Sequence, residues 1–204
     1  MGERYPIPGE RRRVEQTISR SRFISTVAPA PTVEAARTLL AELRAEFPDA
    51  SHHCWAYLVG PPGSSSQIGY SDDGEPHGAA GRPMFTVLQH SGLGDVAAVV
   101  VRYFGGVKLG TGGLARAYSE GVKQALAGLA LAEHVSRTRA RIQCSYAHVA
   151  TLQRLLPAFE AALIAETYAA AVIYEVEVPR ARAAGLAQVI AEATLAQATI
   201  QFED

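Results

Sequence analysis

Residues 95–128 read DVAAVVVRYFGGVKLGTGGLARAYSEGVKQALAG, and the reading of this stretch decides the fold. Val96, Val99, Val100 and Val101 make a short β-branched run bounded by Asp95 and by Gly105–Gly106, which predicts a strand. Leu114, Tyr118, Val122 and Leu126 recur every four residues and share one face, which predicts a helix. Between the two lie Gly105, Gly106, Gly110, Gly112 and Gly113, five glycines in nine residues. Glycine loses more conformational freedom on folding than any other residue, so this density implies unusual backbone angles or close backbone approach. Unpaired N–H groups at the start of the helix suit the turn to an anion.

Working outward, residues 69–83 form a second dense motif, GYSDDGEPHGAAGRP. Asp72–Asp73–Gly74 predicts a turn, and Glu75–Pro76 predicts the start of a helix over about 77–90. HHCWAYLVG at 52–60 reads as a strand, Pro61–Ser66 as a loop at a hairpin tip, and Gln67–Tyr70 as a short strand. Further upstream, a polar tail precedes a single strand over Val14–Ala28. Pro29–Pro31 breaks it, and Thr32 caps a helix running to Phe47 with Glu34 in its first turn. Strands and helices mixed in this order argue for an α+β sandwich rather than a parallel doubly wound sheet.

The remainder is more regular. Arg137–Tyr146, Ala162–Tyr168, Val172–Val178 and Thr199–Phe202 read as strands, with helices over Val149–Phe159 and Arg180–Ala193. That is βαββαβ, a ferredoxin-like pattern. Val172, Tyr174, Val176 and Val178 alternate with Ile173, Glu175 and Glu177, giving one buried and one wet face. We therefore expect two domains, 1–130 and 131–204, joined near 128–136.

Composition narrows the function classes. Hydrophobic content of 48% and charged content of 19% are ordinary for a globular protein. The first 13 residues carry no apolar signal-peptide core, and the longest aliphatic run, Val96–Val101, is too short to cross a bilayer. A cytoplasmic protein without a membrane partner is expected. Formal net charge is −1, with 13 basic and 12 acidic residues up to residue 128 and 6 and 8 beyond it. Any RNA contact must then be local, through a cluster such as Arg82, Arg102, Lys108 and Arg116. Cys54 and Cys144 stand far apart in sequence, so a disulfide framework is not expected. His52, His53 and Cys54 are adjacent strand residues pointing to opposite faces, so neither a metal site nor a cofactor is expected there.

The two motifs closely resemble the YigZ/IMPACT family, whose pattern can be written DDGEPxGTAGxP followed by VVRYFGGxxLGxGGLxRAY. Asp72 to Pro76, Gly78, Ala80, Gly81 and Pro83 match the first part; Arg102 to Gly106, Leu109, Gly110, Gly112 to Leu114 and Arg116 to Tyr118 match the second. Ala79 stands where the family usually has threonine. The resemblance spans about 20–125, and the remainder fits the bacterial members in layout. It implies a first domain like the second domain of ribosomal protein S5 and a ferredoxin-like second domain like the last domain of elongation factor G. The eukaryotic relatives regulate translation by competing for the activator of a stress-responsive kinase. The implied partners are therefore RNA, the ribosome or a translation-related protein.

The residues that could carry chemistry admit more than one role. Gly110-Thr111-Gly112-Gly113-Leu114-Ala115 satisfies a dinucleotide fingerprint, but the strand ends several residues earlier, and no Walker-type order follows Lys108. The turn at Gly110, Gly112 and Gly113, with Lys108 and Arg116 near it, could hold a phosphate, or its glycines could serve close packing. Small-molecule kinases on an S5-like fold use such a turn for a nucleotide, which is analogy of fold. Asp72, Asp73 and Glu75 could act as acid–base groups or cap a turn; we expect one aspartate to cap and Glu75 to lie on the surface. Alternation places Arg102 and Phe104 on one face and Tyr103 on the other, suited to stacking on a base or to a core pair with Glu75 or Asp73. The expected binding site is thus Asp72, Asp73, Glu75, Arg102, Tyr103, Phe104, Lys108, Gly110, Gly112, Gly113 and Arg116. No activated nucleophile is evident, so binding is favoured over the alternative, an enzyme acting on a phosphorylated or nucleotide substrate.

Overall fold

The computed structural model describes residues 4–203 as two units that divide between His134 and Val135. The first contains β1 (Arg4–Pro8), β2 (Arg12–Ile18), β3 (Ser21–Pro29), α1 (Val33–Glu46), β4 (His52–Val59) and β5 (Gln67–Ser71). It continues through α2 (Gly81–Gln89), β6 (Val96–Tyr103), α3 (Gly110–Ala127) and β7 (Leu131–Val135). Five strands form one antiparallel sheet in the order β2-β3-β6-β4-β5.

The valine run of β6 is the centre of that sheet, and both of its faces are covered. Val96, Ala98 and Val100 pack against Met84 and Leu88 of α2 and Leu114, Tyr118 and Val122 of α3. Ala97, Val99 and Val101 pack on the other side against Ala36, Leu39 and Leu43 of α1. Burial on both faces is why β6 shows no polar alternation, and each fully buried valine contributes about 1.5–3 kcal/mol relative to exposure. The four-residue spacing of α3 marks its inward face, as expected. Thr32 caps α1 as read from the sequence, its Oγ1 accepting from the Ala35 N–H at 3.0 Å.

The structure corrects three expectations here. Val14–Ala28 is not one strand but the hairpin β2–β3, which turns at Ser19 (φ 47°) and Arg20 (φ 68°). Successive left-handed residues give the turn that matches strand twist, and it is ordinarily announced by Asn-Gly or Asp-Gly rather than Ser-Arg. The polar tail contains β1, which pairs with β7 in a two-stranded ribbon. Asp95 holds this ribbon: its Oδ2 accepts from Tyr5 Oη at 2.9 Å and lies 3.1 Å from His134 Nδ1, while its Oδ1 accepts from the Gly60 N–H. Finally, the helix read over 77–90 begins only at Gly81, for a reason given below.

The second unit contains β8 (Arg137–Cys144), α4 (Val149–Leu155), β9 (Ala162–Tyr168), β10 (Val172–Pro179), α5 (Arg180–Ala193) and β11 (Thr199–Phe202). Its sheet order, β11-β8-β10-β9 with antiparallel neighbours, is the ferredoxin-like arrangement. Ala140, Ile142 and Cys144 alternate inward beside Val172, Tyr174 and Val176 and meet Leu152, Leu186 and Ile190. The helix expected to Phe159 ends at Leu155 and tightens into a 3₁₀ turn over Leu156–Phe159 containing Pro157. Both units are α+β, as the sequence implies. No helix among the described residues is long and apolar enough to cross a membrane.

Candidate functional site

The two glycine-rich motifs meet in the first unit. Arg102, last but one on β6, and Glu75, in the turn before α2, are both buried, at 4% and 8% exposure. Arg102 Nη1 donates to Glu75 Oε1 at 2.6 Å and Nη2 to Ser21 Oγ at 3.1 Å. Tyr118 of α3 donates its hydroxyl to the same Glu75 oxygen at 2.7 Å, and His52 Nε2 lies 4.0 Å from it. The guanidinium also sits between two rings, 5.4 Å from the centroids of both Phe23 and Phe104. Glu75 is therefore not a surface residue. A turn held only by water could not keep its carboxylate beside Arg102, whose buried charge needs a counter-ion.

Asp72 is the capping aspartate. Its Oδ2 accepts from the Gly78 N–H at 2.8 Å, and its Oδ1 accepts from Ala80 and Gly81 at 3.0 and 2.8 Å. These bonds satisfy N–H groups at the start of α2 only if residues 77–80 stay coiled around the carboxylate, which is why the helix begins at Gly81. Burial acts to raise the Asp72 pKa, but the three backbone donors outweigh it and hold the carboxyl below its usual range. Asp73, in the left-handed region at φ 44°, accepts from Arg44 Nη2 at 2.9 Å and from the His53 N–H at 2.7 Å. Both aspartates build the turn. Cys54 donates its thiol to the Asp72 carbonyl at 2.9 Å, and burial pushes that thiol up to about 12.

What opens to solvent is a cleft of about 310 Å³ lined by Glu75, Pro76, Arg102, Phe104, Lys108, Leu109, Gly110, Thr111 and Leu114. Phe104 stands at its edge, 49% exposed. Lys108 is exposed and has no ion-pair or hydrogen-bond partner among the described residues. The N-terminus of α3 opens here without a side-chain cap and without an acidic residue in its first turn. Its unpaired N–H groups and helix dipole favour an anion.

Not every expected residue belongs to this cleft. Tyr103 points to the opposite face of the sheet, packing in the α1 core and donating to Asp49 at 2.9 Å. Arg116 is exposed on α3 but lines no part of the cleft, and neither do Gly112 and Gly113. Four residues that the sequence reading did not assign to the site support it: Ser21, Phe23, His52 and Tyr118. The register carried the signal for two of them, since Phe23 and His52 are the partners of Arg102 on its two neighbouring strands. Tyr118 was read as a core position, which it is, but its hydroxyl demands a partner and finds Glu75.

Residues 19–126 match the Impact N-terminal domain, and 142–197 match a domain of unknown function, DUF1949. The chain is 43% identical over 190 residues to the IMPACT family member YigZ of Escherichia coli, covering 93% of each chain. This chain belongs to the IMPACT family. An IMPACT family member of Haemophilus influenzae is 43% identical over 166 residues, 81% of each chain. A crystal structure described as that of a hypothetical protein matches with a TM-score of 0.75 at 40% identity, covering 100% of this chain and 99% of the other. The family match spans both motifs, so the buried Arg102–Glu75 pair and the cleft beside it lie inside the shared domain.

Proposed function

We propose that this IMPACT family protein is a translation-associated binding protein whose cleft takes one unstacked nucleotide of single-stranded RNA. The observation that carries the reading is the pairing of opposite needs around one opening. Phe104, half exposed and backed by the Arg102 guanidinium, offers a flat face for a base. Lys108 and the uncapped start of α3 offer a cation and N–H donors for the adjacent phosphate. Binding is favoured over catalysis because Glu75, the carboxylate nearest the cleft, has one oxygen engaged by both Arg102 and Tyr118. A group so held is a poor proton acceptor for a substrate.

The structure also reduces the number of cations available. Arg102 is neutralised by Glu75, and Arg82 lies outside the cleft with Arg116, which leaves Lys108 as the principal phosphate contact. Each phosphate neutralised on a single strand adds about 0.7 to the slope of log affinity against log salt, so a slope of about 1 is expected. Fluorescence anisotropy with a labelled unstructured RNA tests this. Phe104→Ala should weaken binding by about 1–3 kcal/mol without changing the slope, and Lys108→Ala should lower the slope by about 0.7. Co-sedimentation with ribosomes should follow the same two variants. Affinity for a mononucleotide with no RNA binding at low salt would overturn the proposal in favour of an enzyme, and nuclease-insensitive retention of a protein would favour a protein partner.

A further inference from the structure

A cavity of about 740 Å³ in the first unit is a groove between α2 and α3 that shares no lining residue with the Glu75–Lys108 cleft. Pro83, Val87, Leu93, Leu126, Leu129 and Leu131 give it an apolar surface, and Leu131 is left 59% exposed. Its polar groups are turned inward. Thr86, Ser91 and Ser119 donate their hydroxyls to the carbonyls of Arg82, Leu88 and Ala115 at 3.0, 2.6 and 2.6 Å. His90 places Nδ1 2.8 Å from the Thr86 carbonyl. Lys123 is the exception: it is exposed, lines the groove, and has no ion-pair or hydrogen-bond partner among the described residues. Among the described residues no carboxylate lines the groove, and Glu120, one turn earlier on α3, accepts from Gln124 instead.

We propose that this groove binds a small amphipathic carboxylate, its hydrocarbon body on the leucine surface and its head group on the Lys123 ammonium. Three observations select this occupant. The volume falls within the roughly 300–1,000 Å³ of small-molecule sites. The lining offers a single charged recognition point, and its sign is positive with no neutralising acid, which complements an anionic head and repels a cationic one. A peptide would also bring backbone carbonyls into the groove, and hydroxyl protons already donated to helix carbonyls cannot satisfy them, so each would add a desolvation cost. A hydrocarbon chain carries no such groups.

Isothermal titration of the full chain with decanoate tests the proposal. Saturable binding of one decanoate per chain is expected, with decylammonium bound at least tenfold more weakly. Lys123→Ala should weaken decanoate about tenfold and leave decan-1-ol unchanged. Val87→Trp should abolish decanoate binding by filling the groove, while thermal unfolding by circular dichroism and RNA affinity stay as in the wild type. Decanoate affinity unchanged in Lys123→Ala would overturn the proposal, and so would detergent-like binding of many molecules per chain. A change of oligomeric state in Val87→Trp, read by sedimentation, would assign the groove to a second copy of the chain and overturn it as well.

Discussion

Removing the Glu75 carboxylate tests the centre of the site. Glu75→Ala leaves Arg102, 4% exposed, without its counter-ion, and such an uncompensated buried charge costs about 3–5 kcal/mol. It also removes the acceptor for the fully buried Tyr118 hydroxyl, a loss of about 1–3 kcal/mol. The two losses share one oxygen and do not add, so a destabilisation of about 4 kcal/mol is expected. With a urea slope of about 1–3 kcal/mol/M, the unfolding midpoint should fall by about 2 M. The assay has a built-in reporter: Trp55, the only tryptophan, lies on β4 and stacks on Tyr57, so its fluorescence follows the first unit alone. Glu75→Gln keeps the shape and an acceptor but loses the charge, and should cost about 1.5–3 kcal/mol. The triple change Glu75→Leu, Arg102→Met, Tyr118→Phe replaces the whole network with apolar groups. It should return within about 1 kcal/mol of the wild type, because buried ion pairs are often neutral against hydrophobic replacements. A Glu75→Ala midpoint within about 0.5 M of the wild type, or a triple variant as unstable as Glu75→Ala, would refute the reasoning.

Asp72→Asn should cost about 1 kcal/mol at neutral pH through loss of the charged cap. Because the folded Asp72 carboxyl titrates below its ordinary 3.8, its contribution is present above that value and disappears as pH falls through the folded pKa, so the wild type and the variant should converge in acid. Gly105→Ala should destabilise by about 1–3 kcal/mol or prevent folding, since an added Cβ collides with the Arg20 carbonyl. Gly112→Ala, with nothing within 4 Å of an added Cβ and no left-handed φ, should instead raise the unfolding midpoint, by about 0.5–1 kcal/mol of stability, and leave RNA affinity unchanged because Gly112 lines no part of the cleft.

Much of the fold was legible because local chemistry and global packing agree. The valines of β6, the four-residue stripe of α3 and the alternation of β8 and β10 all mark buried faces, and burial is what periodicity reports. What escaped was structure fixed by long-range contacts. β1 exists only through pairing with β7, well over a hundred residues away, and through Asp95 reaching Tyr5 and His134. The β2–β3 turn uses Ser19 and Arg20 in a conformation their side chains do not advertise, and Gly105 lies close against it from another strand end. Of the residues expected at the site, Glu75, Arg102, Phe104, Lys108 and Gly110 line one cleft, whereas Tyr103 and Arg116 lie outside it, and the division of labour was not legible. Whether Glu75 faces water or Arg102 depends on where a nine-residue turn folds, and that turn is shaped by Asp72 binding the N–H groups of Gly78, Ala80 and Gly81.

The glycines show how far packing accounts for the two motifs, and where function is left to explain the rest. Gly105 sits against Arg20 backbone, Gly81 would bring a Cβ within 2.7 Å of Ser71 backbone, and Gly74, Gly78, Gly106 and Gly110 all hold left-handed φ angles. Each of these is required by the fold itself. Gly112 is different: it is helical, exposed and surrounded by open space, so alanine would serve the helix better. Phe104 and Lys108 are likewise placed at solvent when an apolar ring gains from burial and an ammonium from a partner. Phe104 and Lys108 line one cleft, beside an arginine whose charge is already balanced. A surface that departs from what stability alone would select is where a ligand is expected to make up the difference.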